Sequence, residues 1–196
     1  MELKKKDETY NWLRKKNRLY EDQLNHLRKY KVTFQNQLSI CFPGYLDLFK
    51  DGYSDIPMTI LKKYPHPDLL KNKKAETVAR YLEKNTCHTH KVSLEYALKI
   101  IEFAKKTYPG CEKDDVEVEI FKILLDKVIE TQRECEKTLN EMITVASTLE
   151  EYRYISSIDG IGPNLAARII AEIGDIEEFK SREALVAYAG LDPHIY

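Results

Sequence analysis

The sequence predicts an all-α protein: long antiparallel coiled-coil helices, a small helical insert and a helix-hairpin-helix at the C-terminal end. Three observations support this prediction. Charged residues make up 32% of the 196 residues, with only seven Gly and seven Pro, which is typical of long exposed helices. Residues 9–42 and 115–151 lack Gly and Pro and repeat apolar residues at heptad spacing. Residues 155–170 carry two glycines around one apolar residue, as in a helical hairpin.

The first long helix is predicted over residues 9–42, and Pro43-Gly44 ends it. Its apolar residues recur every seventh position, with two more at the complementary positions: Leu13, Tyr20, Leu27, Phe34 and Cys41, then Leu24 and Leu38. Its other faces are basic: Arg14, Lys15, Lys16, Arg18, Arg28, Lys29 and Lys31. Such a face is either simply solvated or contacts a nucleic-acid backbone, and both interpretations stay open.

The insert is predicted over residues 43–114, with short helices over 58–64, 74–85 and 92–107. The helix over 74–85 is expected to turn Val78, Tyr81 and Leu82 inward. The helix over 92–107 carries several apolar residues: Leu94, Ala97, Leu98, Ile101 and Phe103. Cys87-His88-Thr89-His90 is interpreted as a polar turn, because no second ligand pair stands at zinc spacing. No metal site is therefore predicted.

The second long helix is predicted over residues 115–151 and leads without a linker into the hairpin. Its apolar seam steps by three and four residues: Phe121, Leu124, Val128, Thr131, Cys135, Thr138, Met142, Val145 and Leu149. Its flanks are acidic, and Asp114–Asp115 suit the start of a helix better than a metal pair. We expect this helix to pair antiparallel with the first one. The same seam also suits a second copy of the chain, so self-association stays open.

The hairpin pattern runs from Ile155 to Ile170, with Ala166 where the helices would cross. Five isoleucines are expected to close a small core: Ile155, Ile158, Ile161, Ile169 and Ile170. The exposed backbone amides of such a turn form an anion site. The predicted DNA-binding residues are Asp159, Gly160, Ile161, Gly162, Asn164 and, one turn further on as charge support, Arg168. The alternative is a hairpin that only packs against protein.

The remaining C-terminal residues predict a further short helix. Gly174 is expected to cap the second hairpin helix, and Ser181 to cap a helix over residues 182–189 that ends at Gly190. The stalk is therefore assigned to residues 1–42 and 115–154, the insert to 43–114 and the hairpin region to 155–196.

Charge is divided unevenly, because residues 1–111 carry a net charge of +9 and residues 112–196 one of −10. This asymmetry favours attraction between the halves or contact of the basic half with a polyanion. Four scattered cysteines, without an apolar signal region or an 18-residue apolar run, predict a cytoplasmic chain with reduced thiols and no membrane partner.

Residues 158–193, IDGIGPNLAARIIAEIGDIEEFKSREALVAYAGLDP, resemble the C-terminal segment of the IS116/IS110/IS902-type transposases of bacterial insertion sequences. The resemblance is carried by the hairpin glycines and by three later stretches: Ala171-Glu172-Ile173-Gly174-Asp175, Phe179-Lys180-Ser181 and Ala187-Tyr188-Ala189-Gly190-Leu191-x-Pro193. It implies a DNA recombinase with an acidic RuvC-like nuclease domain that uses Mg²⁺, and a nucleophilic serine further on. It also implies DNA as partner, a bridging RNA, and assembly into dimers and tetramers.

This chain departs from that plan, because no RuvC-like strands precede the first helix and the catalytic serine is expected downstream of Pro193. Ser156, Ser157 and Ser181 are not assigned as nucleophiles. We therefore expect no catalytic residue and no cofactor in this piece, which would be inactive alone. The predicted function is nucleic-acid binding and assembly within a transposase. The alternative is a structural dimerisation module.

Overall fold

In the computed structural model, backbone is described for residues 2–190 and side chains from Asp7 onward. Within this range the fold is all-α, with eight α-helices and no strand, which confirms the predicted fold class. The helices are α1 (Glu2–Cys41), α2 (Asp55–Lys63), α3 (Ala75–Asn85), α4 (His90–Lys106), α5 (Val116–Ala146), α6 (Glu150–Ser156), α7 (Pro163–Ile173) and α8 (Arg182–Tyr188). Short 3₁₀ turns occupy Tyr45–Leu48, Pro67–Leu69 and Ile176–Glu178.

The chain divides into two compact units. The first unit comprises the residues up to Leu24 and those from Glu134 on, and the second comprises Asn25–Arg133. Helices α1 and α5 each contribute residues to both units. No helix in the described range combines the length and apolar character that crossing a membrane requires.

The second unit contains the C-terminal half of α1, the insert helices and the N-terminal half of α5. Phe34 stacks on Phe121 with ring centroids 5.3 Å apart, and Gln37 donates to the carbonyl of Glu117 at 3.0 Å. Residue numbers rise on α1 as they fall on α5, so the two segments run antiparallel in this unit. The predicted seam residues Leu38, Cys41 and Val128 are buried here.

The insert packs α3 against α4. Val78 and Leu82 are buried as expected, and Ala97 is buried as well, whereas Leu98 is 57% exposed. The buried face of α4 is instead formed by Ser93, Ala97, Ile100, Ile101 and Ala104. These positions recur at steps of three and four residues, which place them on one face of α4, and Leu98 lies off that face.

The first unit has its own apolar core, formed by Tyr10, Leu13, Met142, Ala146, Ala167, Ile170 and Ala171. Tyr10 donates to Glu151 at 2.9 Å, and Lys16 pairs with Glu141. In these contacts, too, residue numbers rise on α1 as they fall on the later segment, so the two segments run antiparallel in this unit. Three of the seven core residues belong to α7, so the hairpin is part of this core.

The predicted unbroken helix over residues 115–151 is wrong in its last turns, because α5 ends at Ala146 and Leu149 is extended before α6. Hydroxyl groups at the break bond to nearby carbonyls: Ser147 Oγ donates to Thr144 at 2.9 Å, and Thr148 Oγ1 donates to Val145 at 2.7 Å. Side chains of this kind compete with the helical backbone bonds. Helix α6 is therefore a separate element and not the end of a rigid stalk.

Candidate nucleic-acid interface

Helices α6 and α7 contact each other and are joined by residues 157–162. Gly160 has a φ of +86°, a backbone conformation that favours glycine. Gly162 precedes α7 with a φ of −78° and a ψ of 172°, which any residue adopts. Pro163 opens α7, where a missing N–H leaves no bond unmade.

The small core predicted for the hairpin forms only in part. Ile170 is buried, and Ile155, Ile161 and Ile169 are half-buried, whereas Ile158 is 55% exposed. The prediction for Ile158 is wrong because this residue follows the end of α6 and lies in the turn. Ala166 and Ala167 are completely buried. Small residues at both positions let α7 approach its neighbours closely.

Three of the four predicted phosphate-binding amides have no partner among the described residues: those of Gly160, Gly162 and Asn164. The fourth, at Ile161, is not free, because it donates to the carbonyl of Ile158 at 3.0 Å. Asp159 is exposed beside these amides. The Gly162 and Asn164 amides lie at the start of α7, where the helix dipole favours an anion, and the Gly160 amide lies in the preceding turn.

The space around the two glycines is also open. A Cβ added at Gly160 or Gly162 would meet no atom within 4 Å. The positive φ of Gly160 is still sufficient to explain why residue 160 is a glycine. Gly162 has neither a positive φ nor a close neighbour, so nothing in the described chain requires a glycine there. As the N-cap of α7 it also supplies no side-chain cap, which leaves the Asn164 amide uncovered.

Arg168 points towards α1. Its Nε donates to Asn17 Oδ1 at 3.3 Å, and its Nη2 donates to Glu21 Oε1 at 3.0 Å. The guanidinium also lies 5.5 Å from the ring centroid of Tyr20. Burial raises the pKa of the Tyr20 phenol, and the positive charge of Arg168 opposes that rise. Arg168 would have to leave these partners to support a phosphate, and that predicted role remains a prediction.

The sequence analysis missed the residue at the centre of this contact. Asn17 is completely buried and donates through Nδ2 to Glu172 while it accepts from Arg168. A signal for it was present in the sequence. Asn17 occupies the same heptad position as Leu24 and Leu38, and a polar residue in an apolar seam marks a specific partner. Arg168 and Glu172, four residues apart on α7, supply that partner.

The C-terminal end of α7 is packed by contrast. Gly174 has a φ of +76°, its amide donates to Ile170, and an added Cβ would stand 2.9 Å from Arg14 Nη2. Gly174 therefore ends α7 as predicted. Ser181 caps α8 by accepting from the Ala184 amide at 3.3 Å, as also predicted. The last part of the resemblance, Leu191-Asp192-Pro193, lies outside the described residues.

A groove of about 390 Å³ lies beside the hairpin within the first unit. Its floor is apolar, and its rim is acidic: Tyr154, Ile155, Ile170, Ile173 and Ile176, with Glu150, Glu151 and Glu177 at the edge. Tyr154 is 71% exposed. Such a surface suits protein better than a phosphate backbone.

Nothing in the described residues forms a metal centre. Groups of three or more His, Cys, Asp or Glu side chains suited to an ion are absent from the described range. His88 contacts Asp55, and His90 contacts Glu83, each at 3.1 Å. Ser156 and Ser157 donate to carbonyls three residues earlier.

Comparison with known proteins adds one match. No curated protein matches the chain, and no solved structure does. The family model described as "Transposase IS116/IS110/IS902 family" matches residues 152–196. The matched stretch begins in α6 and includes the hairpin, the Gly174 cap and α8. Residues 152–196 are thus similar to the IS116/IS110/IS902 transposase family, and the rest of the chain lies outside this match.

Proposed function

We propose that this chain supplies a nucleic-acid-binding and assembly part of a DNA transposase, in which the hairpin holds one backbone phosphate. The observation that carries the proposal is Gly162, a glycine that nothing in the described chain requires, between amides that have no partner. We propose that a phosphate bound to the amides of Gly160, Gly162 and Asn164 occupies the open space beside Gly162, which a larger side chain there would narrow. Such a contact accounts for the glycine.

Binding through these groups would not distinguish sequences, because backbone amides contact phosphates and not base edges. It would also be weak. The net charge of −10 over residues 112–196 repels DNA, and the Arg168 guanidinium is bonded to α1. We expect dissociation constants near the weak end of non-specific binding, about 10⁻⁴ M.

The test is a fluorescence-anisotropy titration of labelled DNA duplexes of unrelated sequences. The chain with Gly162→Ser should bind about tenfold more weakly, because the serine hydroxyl would occupy the amides that a phosphate uses. The matched control is Gly110→Ser, since Gly110 has an ordinary φ and tolerates a Cβ at 3.5 Å from Ile40 O. This control should bind as the parent chain does.

Salt dependence gives an independent check. Neutral amides release fewer counterions than a cationic side chain, so the slope of the logarithm of the binding constant against the logarithm of salt concentration should lie between zero and about −0.9. A tight complex that prefers one sequence and is insensitive to salt would contradict the proposal. The same titration with RNA tests the bridging-RNA partner, which we propose only for the transposase that this segment matches.

A second candidate function is a structural dimerisation module whose hairpin packs only against protein. The acidic, apolar groove with the exposed Tyr154 favours it. We propose that the α1 and α5 seam forms an antiparallel coiled coil within the chain, where Leu38, Cys41 and Val128 are buried. Self-association would therefore use another surface, such as the groove beside Tyr154. Two measurements test this second candidate. If it is correct, Tyr154→Ser should reduce the dimer mass measured by light scattering. Gly162→Ser should then leave DNA binding unchanged in the anisotropy titration.

A further inference from the structure

Two cysteines lie side by side in the second unit, where the end of α1 contacts the stretch between α4 and α5. Backbone contacts hold this stretch on both sides of the pair. The Gly110 amide donates to the carbonyl of Ile40 at 2.8 Å, and the Nε2 of His66 lies 3.0 Å from the carbonyl of Cys111. Cys111 is thereby fixed beside Cys41, seventy residues away in sequence.

The two sulfur atoms are close and both are free thiols. Cys111 Sγ lies 3.9 Å from Cys41 Sγ, which in turn lies 3.5 Å from the carbonyl of Glu117. A disulfide needs about 2.0 Å between the sulfurs, so the side chains have to move closer for the bond to form. Cys41 is completely buried and Cys111 is half-buried, so an oxidant in solution reaches Cys111 first.

We propose that Cys41 and Cys111 form an oxidisable dithiol, which a peroxide converts into an intramolecular disulfide that closes the loop of residues 41–111. The Cys111 thiolate attacks one peroxide oxygen, the O–O bond breaks, and hydroxide leaves. The sulfur of Cys41 then attacks the resulting sulfenic acid of Cys111 and displaces its hydroxyl group, which leaves as water with the Cys41 proton. In total two thiols and one hydrogen peroxide give one disulfide and two waters, and two electrons pass to the peroxide.

The surroundings select the oxidant. Burial, then the neighbouring Cys111, raises the pKa of the Cys41 thiol to about 12. Burial also raises the pKa of Cys111, and the carboxylates of Asp115, Glu117 and Glu112 act in the same direction. The His66 ring lies nearby, with its Nε2 against the backbone carbonyl of Cys111. A small neutral peroxide can approach these carboxylates more easily than oxidised glutathione, which is bulky and anionic. Oxidation should speed up with pH, because the thiolate is the reacting form.

The experiment uses the whole reduced chain treated with hydrogen peroxide, with oxidised glutathione in a parallel sample. Intact mass should fall by two hydrogen masses with peroxide, and a non-reducing peptide map should join the peptides of Cys41 and Cys111. The double variant Cys87→Ser/Cys135→Ser should keep the link, and dithiothreitol should remove it. The disulfide should raise the melting temperature by roughly 5 °C because the closed loop is long.

The peptide map of the parent chain decides the outcome even if a cysteine variant fails to fold. A map in which peroxide oxidises only the exposed Cys87, or converts Cys111 into its sulfinic acid without a link to Cys41, would overturn the proposal. A link that forms no faster at pH 9 than at pH 7 would overturn the thiolate mechanism.

Discussion

The two ends of α7 carry the glycines Gly162 and Gly174, and their surroundings are opposite. At the C-terminal end, Gly174 has a φ of +76°, donates its amide to Ile170 and faces Arg14. At the N-terminal end, Gly162 has an ordinary φ, an amide without a partner in the described chain and open space around it. One glycine serves the fold, and the other has no role that the fold explains.

This difference separates two reasons for a glycine in a motif. Replacement of a glycine that the fold requires should lower the free energy of unfolding. Replacement of a glycine that a ligand requires should weaken binding and leave the free energy of unfolding unchanged. The comparison is therefore experimental, and substitutions along α7 should divide into these two classes.

The largest effect is expected for Gly174→Ala. A φ of +76° with a ψ of −143° is almost restricted to glycine, and Arg14 Nη2 would have to move. We expect a loss of about 3 kcal/mol in the free energy of unfolding, measured by urea denaturation. The matched control Gly110→Ala has no positive φ and should change this free energy by less than about 1 kcal/mol. Equal losses in the two variants would remove the distinction.

A smaller effect is expected for Asn17→Leu, which removes the buried amide between Arg168 and Glu172. The two charged groups would lose a buried partner, and we expect a loss of about 2 kcal/mol in unfolding free energy. Asn25→Leu is the control on the same helix, because Asn25 is exposed and bonds only Arg28 in the described chain. If Asn17→Leu were neutral, the polar contact would not be what holds α7 on α1.

Residue patterns predicted the elements of the fold because heptad spacing, glycine turns and N-cap serines act locally. The helices, the Gly174 cap and the Ser181 cap follow from such patterns. The choice of which apolar side chains of α4 are buried, and the break after Ala146, did not follow. The buried face of α4 depends on what packs against it, and hydroxyl bonds at Ser147 and Thr148 end a helix that no Gly or Pro interrupts.

The candidate site was predicted less completely. The hairpin glycines were identified from spacing alone, but the use of the Ile161 amide inside the turn depends on backbone geometry. The direction of Arg168 depends on Asn17 and Glu21, about 150 residues earlier in the sequence. Sequence spacing places Arg168 one turn from the amides. The contacts of its guanidinium depend on residues of α1, which local spacing does not identify.

The smallest change in the free energy of unfolding is expected for Gly162→Ser. Whether this change is a gain or a loss decides what the glycine is for. Serine is among the most favourable N-cap residues. Its hydroxyl would accept a hydrogen bond from an amide in the first turn of α7. The chain should therefore keep its free energy of unfolding or gain about 0.5 kcal/mol, because serine also restricts the unfolded chain. Binding of DNA should weaken in the same variant, since cap and phosphate compete for the same amides. A variant that loses stability instead would show that the fold itself needs Gly162, and the contrast between the two ends of α7 would then no longer point to a ligand.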